Sequence, residues 1–387
     1  MSKILVFDRS AFTEALKRGG CYAKAKRITP ITSCVRLTTQ KGWCVVKSTD
    51  MENTMRTLCQ TKAVEGGDID ICIPYEEFSR GVNTLSDADI RMEFEGDTVT
   101  VKHSKGIMTF ETMNAQLFPS INLDGEPTVF KVDGSTLAAF VGDARRFTLG
   151  DPLLKLLSGI HLYARNGVFG CYSTNKFVMY SAEKEDAGVE GIDTGFTVSD
   201  SAFDPIQSIA LSEDVVEVRV RKSNVMFHTT YSDLCVCLVE GNYPELKKAM
   251  PRNMPYLIKV SRNAVLEGMT RIGIAAAEDN SVKISFSPSA MTISSRDYAR
   301  NRAVDETIPC VHDVGFEAIG CNRRFISDTM RTLCDDNVCI ELQAKDRPMI
   351  FRGENSPNIA ILVMPIQFAS PAAPPQDGEG QPQTEGE

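Results

Sequence analysis

Three proline-centred marks divide this 387-residue chain. They read Leu117-Phe118-Pro119-Ser120-Ile121, Gly241-Asn242-Tyr243-Pro244-Glu245-Leu246 and Met364-Pro365-Ile366, with successive prolines 125 and 121 residues apart. A period of that length is a domain, so the sequence predicts three copies of one folding unit. A second mark keeps the same step: Tyr75-Glu76-Glu77-Phe78, Ser201-Ala202-Phe203-Asp204 and Asn322-Arg323-Arg324-Phe325 place Phe78, Phe203 and Phe325 at spacings of 125 and 122 residues.

Each unit opens with a strand and an amphipathic helix. The helices begin at Ser10, Ser135 and Ser261, residue types that accept from the free N–H groups of a first turn. In the first of them Phe12 and Leu16 share one face while Glu14, Lys17 and Arg18 face away. Elsewhere apolar and polar residues alternate, as along Ile90–Val101, where Gly96-Asp97 can close a hairpin, and along Val215–Val220 and Val282–Phe286. The fold class is therefore α+β, each unit having two helices over antiparallel sheet. Strands left open at unit edges invite sheets that run on from one unit to the next. The expected boundaries are 1–124, 125–251 and 252–369. Residues 370–387, rich in Pro, Gly and Gln and lacking large apolar side chains, are expected to be a disordered acidic tail.

A net charge of −9 argues against a chain that grips nucleic acid by bulk attraction to phosphate. The twelve cysteines are scattered without a Cys-x-x-Cys pair, and Cys235 and Cys237 share a strand, so the expectation is buried free thiols in a reducing cytoplasm. Four histidines lack metal-ligand spacing and no glycine-rich phosphate cradle occurs. Asp204, Asp328, Asp335 and Asp336 read as caps and solvated charge. No catalytic residue, metal or cofactor is expected. The chain has no apolar run of membrane-spanning length, and the segment Met1–Asp8 meets charge early, which predicts a soluble intracellular protein.

The triplicated unit, its Phe-Pro and Tyr-Pro ends and the Met-Pro terminus together resemble the bacterial DNA polymerase III beta subunit, the sliding clamp. The resemblance covers Met1 to about Phe368 and is most specific from Ile319-Gly320-Cys321-Asn322 to Val363-Met364-Pro365-Ile366; Ser158-Gly159-Ile160 also matches. It implies three DNA-clamp (processivity-fold) domains, each with two inner helices and outer antiparallel sheets, and a head-to-tail homodimer that closes a ring around double-stranded DNA, bound without regard to sequence. Such a ring would act in the cytoplasm at the nucleoid and confer processivity.

Three sets of site residues follow from that resemblance. DNA contacts fall on Lys24, Lys26 and Arg27 of a basic loop and on Arg80, Arg145, Arg146, Arg271 and Arg323 of the inner helices, which also carry Lys17, Arg18, Arg262, Arg324 and Arg331; any one of these could instead belong to an ordinary solvated helix face. The dimer interface falls on Met108, Phe110, Ile272 and Ile274, for which packing inside their own domains is the alternative. A hydrophobic pocket for short linear motifs of the replicative polymerase, the clamp loader and repair proteins falls on Leu157, Ser173, Thr174, Asn175, Lys176, Phe177, Val178, Pro244, Lys248, Ala249, Leu362, Met364, Pro365 and Ile366; Leu157 and Leu362 could equally be core.

Two departures stand out. The family commonly shows Thr-Asp-Gly-His-Arg-Leu where this chain has Ser173-Thr174-Asn175-Lys176-Phe177-Val178, which alters the pocket's polar rim. Family chains usually stop near the Met-Pro terminus, whereas Gln367-Phe368 here leads into the acidic tail. The rival reading is a clamp-like scaffold that binds partner peptides without encircling DNA.

Overall fold

A computed structural model describes residues 3–23, 29–121, 123, 125–275, 278–297 and 299–367. The chain forms two compact units: the first runs to Arg252 and includes Phe351–Leu362, and the second comprises Asn253–Ile350 and the chain from Val363. Six helices of eight or more residues occur among the described residues, two in each sequence repeat: α1 (Arg9–Gly19), α2 (Tyr75–Asn83), α3 (Gly134–Ala144), α4 (Phe203–Ala210), α5 (Arg262–Ile272) and α6 (Arg323–Thr332).

The caps differ from the sequence reading in two repeats of three. Asp8 and Asp133, two residues before the expected serines, cap α1 and α3 by accepting from Ala11 N at 3.1 Å and Thr136 N at 2.9 Å. Ser10 and Ser135 instead donate to those carboxylates at 2.6 Å each. An ionised acceptor makes the stronger bond to a helix N-terminus, so it takes the capping position when both types are available. Ser261 caps α5 as expected.

In the first repeat α1 and α2 lie on the sheet through Phe12 and Phe78, both fully buried. Phe12 stacks on Phe7 with ring centroids 4.3 Å apart and meets Phe78 edge-on at 6.3 Å. Each such ring contributes roughly 1.5–3 kcal/mol by leaving water. In the second repeat Phe140 of α3 stacks on Phe169 at 5.8 Å. The hairpin at Gly96-Asp97 forms with Glu95 opposite Thr98, and Gly96 takes the positive φ (57°) that a two-residue turn requires.

Sheets do run on between repeats. Strand Thr54–Gln60 of the first repeat pairs antiparallel with Ser232–Cys237 of the second, Met55 opposite Leu234 and Arg56 opposite Asp233, inside one nine-stranded sheet. The seam is fastened by Arg56 Nη1 on Asp233 Oδ2 at 2.6 Å and by Trp43 stacked on Tyr231 at 5.9 Å. In the second unit, Val265, Met269 and Ile272 of α5 and Ile326 and Met330 of α6 are buried, and a four-stranded sheet has the order Arg302–Pro309, Ala290–Asp297, Ser281–Ser287, Ala318–Asn322.

Most cysteines are buried free thiols, but Cys237 and Cys334 are exposed. Cys237 ends its strand, where covering neighbours run out. No described helix is long and apolar enough to cross a membrane.

Candidate nucleic-acid and partner-binding surfaces

The cations expected on the helices are present but largely matched by carboxylates. Arg80 pairs with Glu76 at 2.9 Å and Arg18 with Glu14 at 2.9 Å, each one helical turn away. Arg271 grips Glu306 with Nε at 2.6 Å and Nη2 at 3.1 Å, and these hydrogen bonds, helped by the guanidinium charge, hold the Glu306 carboxyl below the usual carboxylate range. Arg145 pairs with Asp204 at 2.6 Å and also reaches Gln207. Arg323 bonds to Asn280 Oδ1 at 3.2 Å and the Met269 carbonyl at 3.4 Å, and Arg262 reaches the Met330 carbonyl at 3.4 Å; these two guanidiniums brace the second unit from inside. Lys17, Arg146 and Arg324 are exposed and make no ion pair among the described residues. Lys24, Lys26 and Arg27 lie outside the described residues.

Several of the matching acids lie on the same helices as the cations. Helical geometry places Glu14, Glu76, Glu267 and Asp328 within one turn of an arginine on the same helix. A cavity of about 930 Å³ shared by α1 and α4 adds to the effect: Glu14, Asp50, Glu52, Asp151, Asp200 and Asp204 line it against Lys17, Arg18 and Lys155. This ground can touch phosphate through scattered cations but cannot hold it strongly.

The four described sheets leave eight edge strands, two of which lie in the first and third repeats beside residues assigned to an interface. Gly106–Glu111 pairs only with Thr98–His103, and Arg302–Pro309 only with Ala290–Asp297. On the first edge Met108 and Phe110 are half-buried against the core, Phe110 meeting Phe78 edge-on at 5.4 Å. The two isoleucines assigned to an interface part company: Ile272 is wholly buried in α5, whereas Ile274, beyond the helix, is 68 % exposed.

The segment expected to carry the pocket's rim is a tight turn. Asn175 Oδ1 accepts from Phe177 N at 3.0 Å and Val178 N at 2.8 Å, and Lys176 sits at a positive φ of 78°. The turn holds Phe177 out, 57 % exposed, beside exposed Lys176. Ser173 is fully buried and gives its hydroxyl to the Ala144 carbonyl at 2.7 Å; Val178 and Leu362 are buried as well. Leu157 is half-buried. Ser158 braces the loop before it, accepting from Asp151 N and donating to Asp151 O, both at 2.8 Å. Pro244 and Lys248 are exposed, Lys248 paired with Glu245. In the second unit Met364 is 40 % exposed, and Ile366 is fixed by its N–H to the Gly320 carbonyl at 2.9 Å.

An α+β repeat of helix pairs on antiparallel sheet is the architecture of sliding clamps, and solved clamp structures match it closely. The beta subunit of Thermotoga maritima superposes with a TM-score of 0.88 over 95% of this chain and all of its own, at 19% identity. A Pseudomonas aeruginosa sliding clamp bound to griselimycin gives 0.90 over 95% of this chain and all of its own, at 17% identity. Among curated relatives, the beta sliding clamp of Treponema pallidum is 18% identical over 94% of this chain and 99% of its own length, and that of Synechococcus elongatus 21% identical over 74% and 78%. The N-terminal domain of the DNA polymerase III beta subunit matches residues 4–124 and its C-terminal domain residues 247–367. The chain belongs to the bacterial DNA polymerase III beta subunit family, the beta sliding clamps, whose members are non-catalytic processivity factors.

Proposed function

We propose that two copies of this chain close head to tail into a ring that encircles double-stranded DNA and tethers the replicative polymerase and other replication and repair proteins to it. In this reading the chain divides into domains at 1–124, 125–251 and 252–369, and it acts at the nucleoid. The observation that supports ring closure is that Gly106–Glu111 of the first repeat and Arg302–Pro309 of the third are both edge strands with one side left to pair, the former carrying Met108 and Phe110. A heterologous contact of two such edges closes when the rotation allows, and the exposed Ile274 adds apolar area to it. The neutralised cations suit this role. A ring held by topology slides best over phosphates it touches loosely, and such contacts carry no sequence information.

Partner segments dock at residues that the family resemblance assigns, among them Phe177, Pro244 and Met364, whose exposure leaves apolar surface for an extended peptide. The deciding experiment supplies a clamp loader and ATP with nicked circular duplex. Retention on the circle and release when it is cut support a ring; equal retention on linear duplex with free ends means ordinary adhesive binding and overturns it.

A further inference from the structure

Three cations stand in one row across the sheet of the first repeat. Arg36, Lys47 and Arg56 lie directly opposite one another on the neighbouring strands Cys34–Gln40, Trp43–Thr49 and Thr54–Gln60. Leu37 and Val46, one residue along from Arg36 and Lys47, are buried in the core with Phe12 and Phe78, so alternation puts the row on the sheet face turned away from α1 and α2.

Like charges directly opposite one another weaken a sheet. The two ends of this row are relieved. Asp70 accepts from Nε and Nη2 of Arg36 at 2.7 Å each, and Asp233 takes Arg56 Nη1 at 2.6 Å and His228 Nδ1 at 2.5 Å. Lys47, in the middle, has no carboxylate partner among the described residues. Its ammonium lies 5.8 Å from the centre of the buried Phe118 ring, which Arg36 also faces at 6.0 Å. Partial burial, and then the two arginines, hold the Lys47 amine below the usual lysine range.

Three cations against two carboxylates leave at least one positive charge, placed where one negative group would relieve two repulsions. The Arg36 and Arg56 side chains keep 29% and 42% of their exposure, so the row is open to a ligand. A single exposed ion pair holds a free carboxylate weakly. A tethered carboxylate fills the same site readily, because its effective concentration is on the order of millimolar. This chain carries such a ligand. Residues 370–387 include Asp377, Glu379, Glu385 and Glu387 and no cation, and the stretch 368–387 reaches up to about 65 Å when extended.

We propose that the acidic segment 370–387 docks on this row and places a carboxylate at Lys47, between Arg36 and Arg56. The docked face is that of the sheet, away from the helices assigned to DNA.

Two measurements on the full chain test it. A water-soluble carbodiimide joins an amine to a carboxylate in contact with it, taking up the water released as the amide forms. Peptide mapping should find Lys47 joined to Asp377, Glu379, Glu385 or Glu387 more often than the exposed Lys41 is, and the excess should disappear at about 1 M salt. In the second measurement, brief treatment with limiting acetic anhydride should acetylate Lys47 roughly threefold faster once Asp377→Asn, Glu379→Gln, Glu385→Gln and Glu387→Gln are combined, the worth of one exposed ion pair. Lys41 should react at the same rate in both proteins. Equal Lys47 rates in the two proteins, or a Lys47 cross-link no more frequent than that of Lys41, overturns the proposal. Added polyglutamate that slows Lys47 equally in both proteins assigns the row to an acidic segment of a partner and likewise overturns it.

Discussion

Arg145 donates from Nη1 to Asp204 Oδ1 at 2.6 Å, tying the end of α3 to the first turn of α4 and neutralising one of the cations proposed to meet phosphate. Asp204 is 80 % exposed in its side chain, so the pair adds at most about 1 kcal/mol to stability. Its larger consequence is electrostatic. Asp204→Asn should leave the melting temperature nearly unchanged and tighten adhesion to a short duplex several-fold at low salt, with a salt-dependence slope steeper by about one. Fluorescence anisotropy across a salt series measures both; an unaltered slope would mean that Arg145 does not face DNA.

Ile272 and Ile274 share an assignment in the sequence and have opposite surroundings in the fold. Ile274→Asp, at a 68 % exposed position, should split the dimer while each protomer keeps its melting temperature. Ile272→Ala leaves a void in a fully buried site and should cost about 2–4 kcal/mol of folding stability. Sedimentation velocity and urea melts separate the two outcomes, and a dimer untouched by Ile274→Asp would remove that residue from the interface.

Ser173 and Phe177 are divided in the same way. Phe177→Ala removes a 57 % exposed ring and should weaken peptide docking severalfold without loss of stability. Ser173→Ala strips the buried Ala144 carbonyl of its 2.7 Å donor and should destabilise the domain by about 1–3 kcal/mol. Calorimetric titration of the two variants, alongside thermal melts, would contradict this assignment if Ser173→Ala lost binding at full stability.

Periodicity made the repeated helix pairs, the Gly96-Asp97 hairpin and the buried Phe12 and Phe78 legible, because a 3.6- or 2-residue rhythm records which face meets the core. The pairing of Thr54–Gln60 with Ser232–Cys237 was foreseeable only in kind, since open edges ask for partners but do not name them. Charge was the least legible property. Arg271 meets Glu306 across 35 residues and Arg145 meets Asp204 across 59, distances at which no spacing rule applies. The stacking of Tyr163 on Tyr172 at 4.9 Å was hidden because both read as ordinary alternating strand residues, and the glycines opposite Tyr163 sit on neighbouring strands.

Asp143 gives the fold a pH dependence of unusual sign for an aspartate. It is half-buried near the end of α3, and burial pushes its carboxyl up to about 6 from 3.8, opposed by the nearby Arg146 guanidinium. A folded-state value above the unfolded one means that the native protein holds the proton more tightly. The associated stability is full below about pH 4 and is lost as pH rises toward 6. Asp143→Asn should therefore be more stable than the wild type at pH 7.5, by about 1 kcal/mol once partial solvent access is discounted. Between pH 4 and 6 its profile should lack the wild-type decline. Arg146→Ala should move that decline to higher pH by removing the opposing charge. Urea melts at intervals across this range measure all three proteins, and parallel profiles for wild type and Asp143→Asn would show that the carboxyl stays well solvated.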